Sequence, residues 1–192
     1  MQLLLNSIAE TIDRLSEWFG RVVSWVVILL VLVIVYDVVM RYLFQIGSVA
    51  LQELEWHLFA LIFLLGASYT LKEDGHVRVD IFYQSEWMTD RRRAWIDLSG
   101  SLFFLLPFSL IIIVSSWSFV ERSFLIAEGS PDPGGLPYRF MLKAAIPLAF
   151  TLLIIQGVAV VIRSISIIRG ATDINDKSAA TVAIDNNKNK DT

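Results

Sequence analysis

Four stretches of this chain are continuous apolar runs, each long enough to cross a bilayer. A spanning helix needs about 20 mostly apolar residues. The first run covers 22–44 and reads VVSWVVILLVLVIVYDVVMRYLF. The second covers about 51–71, the third about 96–120 and the fourth about 144–168. The third has no charge from Leu98 to Val120, and the fourth none from Ala144 to Ile162. Membrane strands would alternate polar and apolar positions over about 10 residues, and these runs do not. The pattern predicts an all-α integral membrane protein with four transmembrane helices.

The polar positions organise the remainder. Before the first run, Leu4, Leu5, Ile8, Ile12, Leu15, Trp18 and Phe19 fall on one helical face, with Glu10, Asp13, Arg14 and Glu17 elsewhere. This predicts an amphipathic helix over 1–20 lying in the membrane interface; the alternative is a soluble extension of the first span. The segment has no basic n-region and no small-residue cleavage site, so it does not read as a signal peptide. Residues 21–170 form the expected four-helix domain. The polar stretch 171–192, ending DNNKNKDT, reads as a disordered tail. The connection between the first two runs is short, so those helices should be antiparallel neighbours. Between runs three and four, EGSPDPGGLPYR is too rich in proline and glycine for a long regular element. Gly66, Ala67, Ser68 and Thr70, and then Ser99, Gly100 and Ser101, mark places where helices can pack closely. Pro107 predicts a kink in the third span, and Pro147 falls in the first turn of the fourth.

Composition agrees with this pattern. The 192 residues are 55% hydrophobic and only 18% charged, with mean hydropathy +0.60, against about 25% charged in soluble domains. The absence of cysteine excludes disulfides and thiolate metal sites. In a membrane protein the placement of Lys and Arg matters more than the net charge of −3. Arg14, Arg21, Lys72, Arg78, Arg91, Arg92, Arg93, Arg163 and Arg169 fall on one side of the four spans. Arg41, Arg122, Arg139 and Lys143 fall on the other. Nine against four predicts that both termini are cytoplasmic. Trp25, Trp56, Trp95 and Trp117 sit near span ends, where amphipathic rings settle.

A few polar side chains lie at membrane depth or close to it. Asp37 and Arg41 share a face of the first span. They read either as an intramembrane functional pair or as an i,i+4 ion pair with Arg41 reaching the headgroups. Glu53, Glu55 and His57 open the second span, with Glu53 and His57 on one face, and Arg41 is placed to meet Glu53 or Glu55 across the hairpin. Asp37, Glu53 and His57 suggest a cation or proton relay. The alternatives are a polar clamp at the outer surface or a contact with another subunit. Below His57 the helix reads LFALIFLLGAS, with nothing charged before Lys72, which argues against a path through this chain alone. His57 and His76 are the only histidines. They lie nineteen residues apart, about 28 Å along a helix, so one chain cannot hold a bis-His haem. Zinc catalysis lacks three convergent ligands, and no dinucleotide, P-loop or nucleophile-elbow motif occurs. An enzyme is not expected, nor any cofactor or nucleic-acid partner.

The densest polar motif is LKEDGHVRVDIFY, residues 71–83. KEDG reads as a helix end, with Gly75 free to turn left-handed. HVRVD alternates, setting His76, Arg78 and Asp80 against Val77 and Val79. Asp80 is placed to cap a short surface helix over about 81–87.

These pieces in order resemble the small membrane subunit, DctQ type, of tripartite ATP-independent periplasmic (TRAP) transporters. The resemblance rests on DVVMRYLF, ELEWHLFALIFLLGASYTLKEDGHVRVD, RRRAWIDLSGSLFFLLPF and GGLPYRFMLKAAIPLAFTLLIIQG, and covers roughly 20–170. HVRVD after the LGA…LK helix end is its most specific part. It implies a heterodimer with a large membrane subunit in the bacterial inner membrane. It further implies a periplasmic substrate-binding protein and sodium-driven uptake of a small organic anion. The small subunit would extend the fixed scaffold and help the binding protein dock, with no transport site of its own. Glu128, Asp132, Tyr138 and Arg139 then become candidate docking residues. PDPGGLPYRF resembles the branch associated with 2-oxo acids or with mannitol and chloroaromatic solutes. Two rival functions are a free-standing homodimeric ion-coupled transporter using Asp37 or Glu53, and a membrane assembly factor or cytochrome-like carrier.

Overall fold

The computed structural model describes residues 2–73 and 89–170. The HVRVD motif with His76, Arg78 and Asp80, the short helix expected at about 81–87, and the tail 171–192 lie outside the described residues. Four helices account for nearly all of the rest: α1 (Gln2–Leu43), α2 (Val49–Lys72), α3 (Asp90–Leu125) and α4 (Phe140–Ile168). All four contain a window long and apolar enough to cross a membrane. No strand occurs among the described residues.

Three boundaries differ from the sequence expectation. First, α1 is one uninterrupted helix of 42 residues, with no break at residue 20 between an interfacial helix and a span. Gly20, which could have marked a break, has a packing role. A Cβ there would come within 2.7 Å of the Tyr69 ring of α2, so the glycine lets the two helices cross closely. Second, α4 starts at Phe140, so Pro147 lies inside the helix and not in its first turn. Thr151 Oγ1 donates to the Pro147 carbonyl at 2.7 Å. Third, α3 starts at Asp90 and takes the RRR run into its first turns. The expected disturbance at Pro107 takes the form of a π-helical turn over Ser101–Leu105. Leu106 N–H reaches back five residues to the Ser101 carbonyl. Widening the helix just before the proline is a common way to absorb a ring that would clash with the preceding turn.

The helix α4 is the hub. It packs on α1, α2 and α3, whereas α3 has its main contacts with α4. The interior is built from small and polar residues. Ala145, Ala149, Gly157 and Ala159 of α4 are buried, as are Ser101, Ser109, Ser116 and Ser123 of α3. The large residues Trp25, Phe63, Phe103, Phe104 and Trp117 are exposed. This inverts the layout of a soluble protein, as expected where lipid tails are as apolar as leucine and helices associate by close approach. A Cβ on Gly157 would lie 2.6 Å from Leu105 Cδ2, at the π turn.

One buried polar network ties the first part of α1 to α4. Ser16 Oγ donates to Gln156 Oε1 at 2.7 Å, and Gln156 Nε2 donates to Asp13 Oδ1 at 3.1 Å. Arg163 pairs with the other oxygen of Asp13. Gln156 is wholly buried. Along this stretch the face holding Ala9 and Ser16 is buried, while Ile8, Leu15 and Trp18 point outward. Nearby, Lys72 at the end of α2 pairs with Glu17 at 2.9 Å.

Replacing Gln156 by leucine should strand Ser16 and remove one donor from Asp13, at a cost of about 1–3 kcal/mol. The double variant Ser16→Ala/Gln156→Leu should recover part of that loss, because both partners are then apolar. Reversible unfolding in mixed micelles measures both; a double variant less stable than Gln156→Leu alone contradicts the network.

Candidate functional site

The loop joining α3 to α4 is short on regular structure and dense in hydrogen bonds. It begins with a helix-ending turn. Ala127 takes a left-handed φ of 45°, Ala127 N–H bonds the Phe124 carbonyl, and Glu128 N–H bonds the Ser123 carbonyl. This is a Schellman arrangement with alanine where glycine is usual. The loop then closes on itself. Arg139 N–H donates to the Glu128 carbonyl at 2.8 Å, Ser130 N–H to Leu136 at 3.0 Å, and Gly135 N–H to Asp132 at 3.0 Å. Asp132 N–H is held by Ser130 Oγ at 3.1 Å.

A carboxylate from another helix occupies the middle of this loop. Ser48 caps α2, accepting from Leu51 N–H, and one turn further on Glu53 projects into the loop with 4% exposure. Ser130 Oγ donates to Glu53 Oε1 at 2.5 Å, and Leu136 N–H to Oε2 at 2.6 Å. Arg139 Nη2 approaches Oε1 at 3.3 Å. Gly135 is required by this approach: a Cβ there would overlap Ser130 and lie 2.8 Å from Glu53 Oε2. One carboxylate therefore accepts from a hydroxyl, a backbone amide and a guanidinium, all on a segment remote in sequence. Charge-assisted bonds of this kind are the strong class.

Two cations frame the clamp. The Arg139 guanidinium stacks over the Trp56 ring at 5.5 Å. Lys143, one turn into α4, pairs with Glu128 and sits 4.0 Å above the Phe119 ring. The Lys143 ammonium donating to Glu128 holds that carboxyl below the ordinary glutamate range. His57 Nδ1 lies 2.6 Å from the Glu53 carbonyl. A carbonyl only accepts, so Nδ1 carries the proton.

The residues singled out from sequence thus separate into groups. Glu53, Arg139 and Glu128 come together with the loop, while Asp132 and Tyr138 remain exposed on it. Tyr138 has a left-handed φ of 60° and is 54% exposed. Asp37 and Arg41 form their own i,i+4 pair, so Arg41 bonds within α1 and does not meet Glu53 across the hairpin. Asp37 is buried, and its Oδ1 has no hydrogen-bond partner among the described residues. Glu55 is half-buried on α2. Among the described residues His57 meets only the backbone carbonyl of Glu53, and no side-chain hydrogen bond joins Asp37, Glu53 and His57 to one another. His76, Arg78 and Asp80 lie outside the described residues. Among the described residues no group of three His, Cys, Asp or Glu side chains could hold a metal ion. Sequence reasoning missed Ser130, the Leu136 amide and Gly135; the Gly134–Gly135 pair was the available signal. It also missed the Asp13–Ser16–Gln156–Arg163 network, to which a single amide in an otherwise apolar run pointed.

Four helices long and apolar enough to cross a membrane, packed on small residues, define an all-helical integral membrane protein. The family is specific. A model of the DctQ component of tripartite ATP-independent periplasmic transporters matches residues 30–166, and the chain belongs to that family. It is therefore a membrane component of a transporter. No curated protein and no solved structure matches the chain.

Glu53→Gln should remove the negative charge that pairs with Arg139 and leave an amide N–H facing a donor. Gly135→Ala should push the loop off the carboxylate. Both should speed limited proteolysis of the α3–α4 loop about tenfold, while Asp132→Asn should not. A loop equally protected in Glu53→Gln contradicts the clamp.

The lowered Glu128 value sets a pH window. The Lys143 pair contributes fully above the ordinary glutamate value, about 4.3, and is lost as pH falls through the lower folded value. Hydrogen-exchange protection of the loop should stay flat from neutral pH down to about the ordinary glutamate value and fall from there through the lower folded value, and Glu128→Gln should shrink the drop.

Proposed function

We propose that this chain is the static small subunit of its transporter. In this reading it enlarges the scaffold against which the large membrane subunit moves, and it helps a periplasmic binding protein to dock. The complex would take up a small organic anion, with uptake driven by a sodium gradient, across a bacterial inner membrane. The observation that carries the reading is the Glu53 clamp, in a chain of this family. It holds the α3–α4 loop as a preformed surface, and preformed surfaces bind without paying much ordering entropy.

Other features support the same reading. The basic residues divide nine to four, which supports both termini in the cytoplasm and the α3–α4 loop in the periplasm. On that side Asp132 and Tyr138 are exposed on the clamped loop, free to meet a partner. The first stretch of α1, with Ile8, Leu15 and Trp18 outward, suits the cytoplasmic interface. Between the two polar ends α2 carries no charged residue from Leu58 to Leu71, which supports a transport path in the large subunit. The HVRVD motif, on the cytoplasmic side, suits an anchor to that subunit through Arg78 and Asp80.

Two sets of substitutions test this in the assembled transporter. Tyr138→Ala with Asp132→Lys should weaken binding-protein docking by about 1–3 kcal/mol, roughly tenfold or more. Uptake should fall and assembly should not change. Glu53→Gln, Glu128→Gln and Arg139→Gln should do the same by loosening the surface. Arg78→Ala and Asp80→Ala should instead lower co-purification of the large subunit, with substrate capture by the binding protein unaffected. Docking and uptake unchanged in all the loop variants would sink the docking role.

A further inference from the structure

Beside the clamp lies a cavity of about 290 Å³ between α2, α3 and α4. Its upper wall is polar: Arg139, Lys143 and His57 line it, together with the exposed Trp56 ring. Its lower wall is apolar, made by Ala60, Leu64, Phe119 and Ile146. From Trp56 to Leu64 the wall descends eight residues, about 12 Å along α2.

Four observations say what fits there. The two cations are held in place by Glu53 and Glu128 but keep unused donors. An ammonium has three donors and a guanidinium five. Arg139 Nε is buried and has no hydrogen-bond partner among the described residues, and a buried donor in that state calls for an acceptor. The amino-terminal end of α4 opens at the same place without a side-chain cap, and such an end favours an anion. Below, the walls offer water almost nothing to bond, so roughly ten water-sized volumes are better filled by hydrocarbon. The site thus has an anion-binding top, a Trp at headgroup level and a greasy shaft running into the membrane.

We propose that this cavity binds one phospholipid, with its phosphate on Arg139 and Lys143 and an acyl chain against Ala60, Leu64 and Ile146. The lipid would be wedged between α2 and α4, next to the loop, and would complete the hydrogen bonding of Arg139. This assignment does not depend on the docking role.

The test uses the transporter complex extracted in mild detergent through a tag on this chain, examined by native mass spectrometry and phosphorus analysis. Two variants address the two halves of the site. Ala60→Trp fills the shaft and leaves every charge in place. Lys143→Gln removes a headgroup contact. Val114→Trp, on an exposed face of α3, serves as control. Each site variant is expected to retain one phospholipid fewer than the unsubstituted complex, with the control unchanged. Adding phosphatidylglycerol or phosphatidylethanolamine to delipidated complex should restore the lipid and raise the melting temperature, with no such effect in Ala60→Trp. Inorganic phosphate or glycerol phosphate should have little effect. Equal lipid retention in Ala60→Trp and the unsubstituted complex overturns the proposal. So does equal stabilisation by free phosphate, which would make this a small-anion site. Protection of the cavity by the large subunit, read as crosslinking of a cysteine at position 60 to that subunit and not to lipid, overturns it as well.

Discussion

The Glu53 carboxylate is the constraint around which the loop end of this protein is arranged. Burying a carboxylate is costly unless its lone pairs are satisfied. Here Ser130, the Leu136 amide and Arg139 satisfy them. Each requirement propagates. Ser130 must stand opposite Leu136, which fixes the loop's internal backbone bonds. The carboxylate must come close, which leaves room only for glycine at 135. Arg139 must reach back, and that sets where α4 begins and where Lys143 stands to meet Glu128. A segment full of proline and glycine, with little secondary structure, thereby acquires a defined shape.

The helices below obey a different logic. In water, bulky apolar residues would form the core; here Ala, Ser and Gly do so and the aromatic and branched residues face outward. Close approach is what such a core offers, and it tolerates little added volume at Gly20 and Gly157. Specificity comes from a few buried polar contacts. Gln156 is one: its amide can be satisfied only if α1 crosses α4 with Ser16 and Asp13 in register. Such hydrogen bonds are modest in energy within membranes, so their effect is better read as fixing register than as supplying stability.

Much of this was legible beforehand, and the reasons differ by feature. Four apolar runs separated by charge can hardly be anything but four spans, and the TRAP-type motifs named the family. Boundaries were less legible because hydropathy marks the lipid-facing core and not the helix. Phe140–Lys143 and Asp90–Trp95 are helical yet too polar or too close to a loop to register as span. The continuity of α1 was missed for the same reason: charges at Glu10, Asp13 and Glu17 look like an interruption, while no residue there breaks a helix. At the clamp, Glu53 and Arg139 each stood out as charges near a membrane, but their pairing depended on a contact 86 residues apart in sequence. Arg41 offered Glu53 a nearer partner. It is Asp37, one turn away on the same helix, that takes Arg41.

The polar contacts also measure the membrane. Three helices each carry an ion-paired residue near both ends. Asp37 and Glu17 on α1 are twenty residues apart, Glu53 and Lys72 on α2 nineteen, and Lys143 and Arg163 on α4 twenty. At 1.5 Å per residue these separations are all about 28–30 Å, which is the thickness of a hydrocarbon core. Two polar girdles one bilayer apart, with no charged side chain from Leu58 to Leu71 on α2 or from Ala144 to Ile162 on α4, hold the bundle at a fixed depth. Moving any helix by one turn would drag an ion pair into hydrocarbon. The same ruler places the start of α1. The helix is 42 residues long, about 63 Å, twice what the core can hold. To fit inside it would have to tilt by about 60°, beyond the usual range of about 0–40°. Residues before Asp13 therefore extend past the terminal girdle, where Ile8 is outward and the Asp13–Arg163 pair fastens the helix to α4. Ion pairs at both ends, with close crossings at Gly20 and Gly157 between them, resist the sliding of one helix past another.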